Sequence, residues 1–296
     1  MMEIRAGFDI AFDIPRPTPM ILMLTIHPSR LADLLTDHRI AFTPRTISHD
    51  YKDIFGNICT RILAPPGEIQ IKSDFVIADS GLPDAVNPQA AQLLVERLPD
   101  DVLAYLVGSR YCDTQKLSDF AWSTFGAAPA GWRRVQTICD YVHDRIAFSY
   151  SQARSDRTAS EAHDERTGVC RDYAHLAITL CRCMNIPARY CTGYLGDIGV
   201  PRDPAPMDFS TWFEAYLDGG WYTFDARHNI PRIGRIVMAR GRDAADVAIS
   251  TNFGPAKLTR FNIVTDEVKP APIHESPATV AESGKWRELC SYGVLI

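Results

Sequence analysis

The longest aliphatic run, Met20 to Ile26, is far shorter than the roughly 20 apolar residues a bilayer span requires. The first residues carry Glu3, Asp9 and Asp13 where a secretory leader would need an unbroken apolar stretch, so a soluble cytoplasmic protein is the expectation. No basic block is longer than a pair, and the net charge of -5 argues against a surface made to coat nucleic acid or an anionic membrane. There is no C-x-x-C, and no Cys/His pair has zinc-site spacing, so neither a metal nor a cofactor is expected. Internal repeats and low-complexity tracts are also absent. The eight cysteines, Cys59, Cys112, Cys139, Cys170, Cys181, Cys183, Cys191 and Cys290, are widely spread. A chain of 296 residues with 46% hydrophobic content can bury a core without disulfide staples.

What is present changes character along the chain. Residues 1–85 read as β-rich: IRAGFDIAFDI, PMILMLTIHP, NICTRILA and IQIKSDFVIAD are short, apolar or alternating, and punctuated by Pro, Gly and Asn. That pattern predicts a small sandwich or barrel, with DIFGN (53–57) as a tight connection and 81–92 as a linker. Helical patterns follow at 90–98, 101–112, 117–126 and 131–148. In the last, Trp132, Val135, Ile138, Cys139, Val142 and Ile146 recur at helical spacing. Residues 149–168 are polar and irregular and read as an exposed loop. A helix with a broad apolar face then runs from Val169 until Asn185 and Pro187 stop it. STWFEAYLD and GWYTFDAR flank a hairpin turn; a two-residue Gly219–Gly220 turn would pair Asp218 with Trp221 and put Asp225 on the face of Ser210. Residues 232–254 are distinctive without an evident role, beyond an ion-paired turn from Arg240, Arg242 and Asp243. Residues 267–280 are Pro-rich and expected to be exposed.

Cys170 stands where the polar loop becomes a helix. Unpaired N–H groups and the positive dipole end at a helix N-terminus stabilise a thiolate, and a buried helix behind the sulfur holds it rigidly. A free cysteine is nonetheless more often a small buried hydrophobe than a nucleophile, so position alone decides little. Asp172, in the first turn, suits the dipole. Arg171 suits an anionic group as well as solvent. Tyr173, Trp212 and Tyr222 are core candidates. His175 lies five residues past Cys170, rotated away on the same helix, and packs beneath it. His143 and His163 sit on a helix face and in an exposed loop.

The stretch GVCRDYAHLAITLCRCMNIPARYCTGY resembles the nucleophile segment of the transglutaminase-like superfamily, and DFSTWFEAYLDGGWYTFDARHN resembles its second segment, a hairpin bearing the base and its orienting carboxylate. The β-rich first part is similar to the small β domain of bacterial members. The resemblance implies an α+β chain: an N-terminal β-sandwich or barrel-like domain at 1–85, then a papain-like core at 86–296 with the Cys-bearing helix packed on an antiparallel sheet. It further implies that Cys170 attacks an amide carbonyl of a peptide or protein and that Asp225 orients the base. The usual imidazole position is occupied by Ser210, whose hydroxyl cannot serve as a base near neutral pH. His228, three residues past Asp225, is the substitute candidate; Ser210, Trp212 and Arg171 are the binding candidates. The absence of a D-x-D-x-D-G loop favours hydrolysis over calcium-dependent cross-linking. A catalytically silent member acting as a binding module is the alternative.

Overall fold

The computed structural model describes residues 1–268 and the backbone of a short strand at Val294–Leu295. Apart from its first two positions, the Pro-rich segment 267–280 lies outside the described residues.

The first region is built of strands β1 (Met2–Ile14), β2 (Thr18–Leu22), β3 (Ala41–Thr43), β4 (Ser48–Lys52), β5 (Ile58–Ala64) and β6 (Gly67–Asp79). Ile4, Ala6, Phe8, Ile10, Phe12 and Ile14 recur at every second position of β1 and are all buried, which is what period-2 apolar spacing produces against a single core. In the 53–57 connection Asp53 Oδ1 accepts the N–H groups of Phe55 (2.8 Å) and Asn57 (2.9 Å), closing the expected tight turn.

Helices α1 (Thr114–Phe125) and α2 (Trp132–Arg145) follow, then β7 (Ala147–Phe148), α3 (Ala159–Glu165), β8 (Thr167–Gly168) and α4 (Cys170–Cys183). Two expectations differ here. The windows 90–98 and 101–112 form only 3-10 turns, Val95–Arg97 and Asp100–Tyr105. Pro99 and Gly108 bound windows too short to repay helix nucleation. The polar stretch 149–168 is not loop throughout, because α3 forms inside it. Thr158 and Glu161 make a reciprocal capping box at its start, and the T-x-x-E spacing carried that signal.

The second layer is the antiparallel sheet of β9 (Ala188–Tyr194), β10 (Ser210–Leu217), β11 (Gly220–Phe224) and β12 (Ile236–Gly241), in the order β11-β10-β9-β12. Every residue of α4 after Cys170 is buried, with α1, α2 and α3 around it and β9 and β10 beneath. This is the helix-on-sheet arrangement expected. The β10–β11 turn is Asp218–Gly219, both at positive φ (49° and 80°), so Leu217 pairs with Gly220 and Tyr216 with Trp221. The register differs from the expected one by an even step, which leaves the face assignment of Asp225 unchanged.

Strands β13 (Ser250–Asn252) and β14 (Lys257–Glu267) return to the N-terminal region, and β15 (Val294–Leu295) pairs with β13. One sheet is ordered β14-β1-β6-β3 and the other β15-β13-β2-β5-β4, with a shared core between them. The sandwich therefore draws strands from beyond residue 85. The core also takes in Tyr194, Phe209 and Ile236, so the two layers are packed continuously.

Candidate active site

Cys170 is the first residue of α4, entered from β8 through Gly168 and Val169. A Cβ on Gly168 would lie 2.6 Å from both Cβ and Oδ2 of Asp172, so the chain can close on the first turn only without a side chain there. Asp172 Oδ2 accepts the Val169 N–H at 2.9 Å, which fixes the direction in which the chain enters the helix. The same oxygen pairs with Arg157 at 3.0 Å. Arg157, 1% exposed, also donates to Glu165 Oε2 (2.9 Å) and to the Gln152 carbonyl (2.8 Å). One buried guanidinium thus ties the turn at 150–152, α3 and the first turn of α4 together.

Cys170 is partly open to solvent, whereas the other six described cysteines are buried. The Thr211 hydroxyl is one of the groups that act on its thiol. Burial pushes the thiol up, the Arg227 guanidinium and the Thr211 hydroxyl pull it down, and the carboxylates of Asp208 and Asp172 push it up again. The net direction is upward. Burial is the largest of these causes, ahead of the Arg227 charge. The Arg227 guanidinium lies 4.0 Å over the Phe148 ring, against which Tyr150 packs edge-on at 4.9 Å.

Strand alternation sorts the remaining candidates. Phe213, Ala215 and Leu217 of β10 pack in the core around α4, so Thr211 faces the helix, and its Oγ1 also meets the Tyr190 hydroxyl at 3.0 Å. Ser210 and Trp212 belong to the opposite face. Ser210 is buried, and its Oγ has no partner among the described residues. Trp212 packs with Cys191 and Val237, under the Arg235 guanidinium at 5.0 Å. Arg171 is buried, paired with Asp172 at 3.3 Å and stacked 5.6 Å over Tyr111.

Asp225 and His228 come together. Asp225 Oδ1 accepts the His228 backbone N–H at 3.0 Å, and its Oδ2 lies 2.8 Å from Nδ1. With Nδ1 carrying the proton in that bond, Nε2 is left as an acceptor. Burial pushes the Asp225 carboxyl up, but the Arg235 guanidinium at 2.9 Å and His228 more than reverse this and hold it well below the usual carboxylate range. Arg235 is shared with Asp84, 2.9 Å away. His228 Nε2 makes no hydrogen bond to the thiol among the described residues.

The other histidines are accounted for structurally. His175 is fully buried between Tyr111 and Tyr190, its Nε2 accepts the Ala244 N–H at 3.1 Å, and burial holds it neutral. His143 bonds the Arg227 carbonyl at 2.9 Å, and His163 the Tyr141 hydroxyl at 2.8 Å. The turn after β12 is ion-paired through Arg242 and Asp246 (2.8 Å), while Arg240 pairs with Glu214 (3.0 Å) and Asp243 accepts backbone N–H groups. Sequence reading missed Arg157, Thr211, Asp208 and Arg227. Only Thr211 carried a usable signal, as the helix-facing neighbour of Ser210 in an alternating strand. Among the described residues no group of three or more His, Cys, Asp or Glu is arranged to hold a metal ion, and no helix is long and apolar enough to cross a membrane.

Comparison with known proteins places this geometry. Residues 120–226 match the transglutaminase-like superfamily core. A candidate cysteine protease from Cytophaga hutchinsonii, known from its crystal structure, is similar over 91% of this chain and 92% of its own, with a TM-score of 0.79 and 28% identity. An uncharacterized protein of Mycobacterium leprae (strain TN) is 27% identical over 226 residues, covering 71% of this chain and 77% of that one.

Proposed function

We propose that this chain, whose residues 120–226 match the transglutaminase-like superfamily core and whose one partly open described cysteine heads the buried helix, hydrolyses an amide or peptide bond through a Cys170 thioester. The observation that carries the reading is selective accessibility: the other six described cysteines are buried, while Cys170, the first residue of a buried helix, is partly open to solvent. The Cys170 N–H belongs to the unpaired donors of the first helical turn and is suited to an oxyanion. His228, oriented by Asp225, supplies the imidazole of this reading, and Arg235 keeps the orienting carboxylate charged. The substrate class that fits is a peptide or protein amide, in keeping with the cysteine-protease description of the C. hutchinsonii protein.

The test is acyl transfer to the thiol from p-nitrophenyl acetate, with the acylated residue located by peptide mass. Cys170 is expected to acylate, and to alkylate with iodoacetamide, at least tenfold faster than any buried cysteine; Cys170→Ala should abolish both fast reactions. If Cys170 reacts no faster than the other thiols, the hydrolase reading fails. The alternative, a silent binding module, then gains; it is favoured by Ser210 at the usual imidazole position and by the absence of a bond between His228 and the sulfur.

A further inference from the structure

Arg227 links the two halves of the candidate site. It directly precedes His228, and its backbone is pinned from both sides: its N–H donates to Asp225 Oδ1 at 3.1 Å, and its carbonyl lies 2.9 Å from His143 Nδ1 of α2. Its guanidinium reaches across to the Cys170 side, where it lies 4.0 Å over the Phe148 ring. Phe148 belongs to β7, which pairs in parallel with β8 and sets Phe148 opposite Gly168, two residues ahead of Cys170. The Ser149 N–H donates to the Gly168 carbonyl at 2.9 Å, and the Tyr173 hydroxyl of α4 donates to the Ile146 carbonyl. The ring under the guanidinium is thus fixed to the head of the helix at two points. Tyr150 packs edge-on against Phe148 at 4.9 Å, and all three side chains are half-buried, so the cluster faces solvent in part. Among the described residues no carboxylate lies within ion-pair distance of the Arg227 guanidinium, and none of its N–H groups is used in a hydrogen bond. The other guanidinium groups of the site, Arg157, Arg171 and Arg235, are each paired with a carboxylate.

We infer that Arg227, stacked on Phe148, is a specificity-determining residue that binds a carboxylate of the substrate beside the amide attacked by Cys170. The inference deepens the Cys170 hydrolase reading and rests on it. A guanidinium held over a ring face is oriented by the π electrons, while its in-plane N–H groups stay free to bind. That edge matches a carboxylate through two parallel N–H···O bonds, which a point charge does not offer. The chain joins Arg227 to His228, and the stack joins it to the strand beside Cys170, so a carboxylate held there lies next to both. Two sources supply this chemistry: an acidic side chain flanking the scissile bond, or the free terminal carboxyl of a short peptide. Phe148 and Tyr150 add an apolar wall for the carbons between carboxylate and amide. The Arg227 charge also acts on the Cys170 thiol, so the test must separate substrate recognition from activation of the sulfur.

The experiment compares alkylation of Cys170 in the full chain by iodoacetate and by iodoacetamide, reagents alike except that one carries a carboxylate. A change in the thiolate fraction alters both rates alike and cancels in their ratio. The iodoacetate-to-iodoacetamide ratio is expected to be roughly tenfold higher in the wild type than in Arg227→Gln, the scale of one charge-assisted pair. Arg227→Lys, which keeps the charge without the fork, should retain part of it. A ratio that Arg227→Gln leaves unchanged overturns the inference, even if both reagents slow, since that is the result when the guanidinium only lowers the thiol. Protection of wild-type Cys170 from iodoacetamide then separates the two sources. N-acetylalanine tests the terminal carboxyl, N-acetylglutamic acid α-amide the side chain, and N-acetylalaninamide neither. Protection by a carboxylate compound that is lost in Arg227→Gln is the expected result; no protection, or equal protection by N-acetylalaninamide, overturns the inference. Urea midpoints of the variants separate lost binding from lost folding. Failure of the underlying reading is seen separately, as wild-type Cys170 reacting no faster than the buried thiols with either reagent.

Discussion

Two carboxyls near the candidate site are tuned in opposite directions, with opposite consequences for stability. Asp225 is depressed, so its contribution is fully present above its ordinary value of 3.8 and is lost as pH falls toward its folded value. Asp225→Asn leaves Arg235 with only Asp84, and the expected loss at pH 7 is about 2–4 kcal/mol. Urea unfolding at pH 7 and pH 3 should show the gap between wild type and variant narrowing at the lower pH. Asp208 is raised, so it favours the folded state at low pH and the benefit disappears as pH climbs from 3.8 through about 6. Asp208→Asn is accordingly expected to stabilise the protein at pH 7 by about 1–2 kcal/mol, allowing for partial solvent screening. Thr211→Ala removes the hydroxyl that lowers the thiol, and iodoacetamide alkylation of Cys170 at pH 8 should slow by roughly three- to tenfold. Ser210→Ala should leave that rate within about twofold, because Ser210 lies on the other face of β10. At this scale the sequence singled out Cys170 through its Gly-x-Cys setting, and the structure sets that residue at the first position of α4, but the burial acting on its thiol was not readable. Dipole position is local and readable. Desolvation depends on what tertiary packing brings around Cys170, and local pattern does not record that.

Among the elements, α4 and the β10–β11 hairpin were the most legible, since each is bounded by its own stop signals: Asn185 at φ 60° for the helix, Asp218–Gly219 for the turn. The clamp behind the helix was not legible, because a buried arginine in a polar loop has the composition of a solvated one. Two substitutions separate the local contribution from the tertiary one. Thr158→Ala removes one half of the α3 capping box and should cost about 1 kcal/mol. Arg157→Met preserves the apolar stem but leaves Asp172 buried with only the longer Arg171 contact, and should cost about 3–5 kcal/mol. If urea denaturation gives equal losses for the two, the clamp is not what orders the start of α4.

At the scale of the molecule, period-2 alternation in the first 85 residues was enough to anticipate a sandwich. It did not disclose that the sandwich is completed by strands arriving from beyond residue 250, since pairing partners leave no mark in local pattern. β1 lies between β6 and β14, with Phe8 opposite both Ser73 and Ile263. A chain ending at Pro255 would strip β14 from β1, uncover Ile4, Phe8 and Ile10 along a bare strand edge, and is expected to aggregate on expression, as a sedimentation assay would report.

The same β1–β14 pairing bears on synthesis. A polypeptide emerging from the ribosome has made all of its first six strands long before the partner of the first one exists. Until then the leading segment must wait with one flank unzipped, and the final register can close only once residues 257–267 have been made.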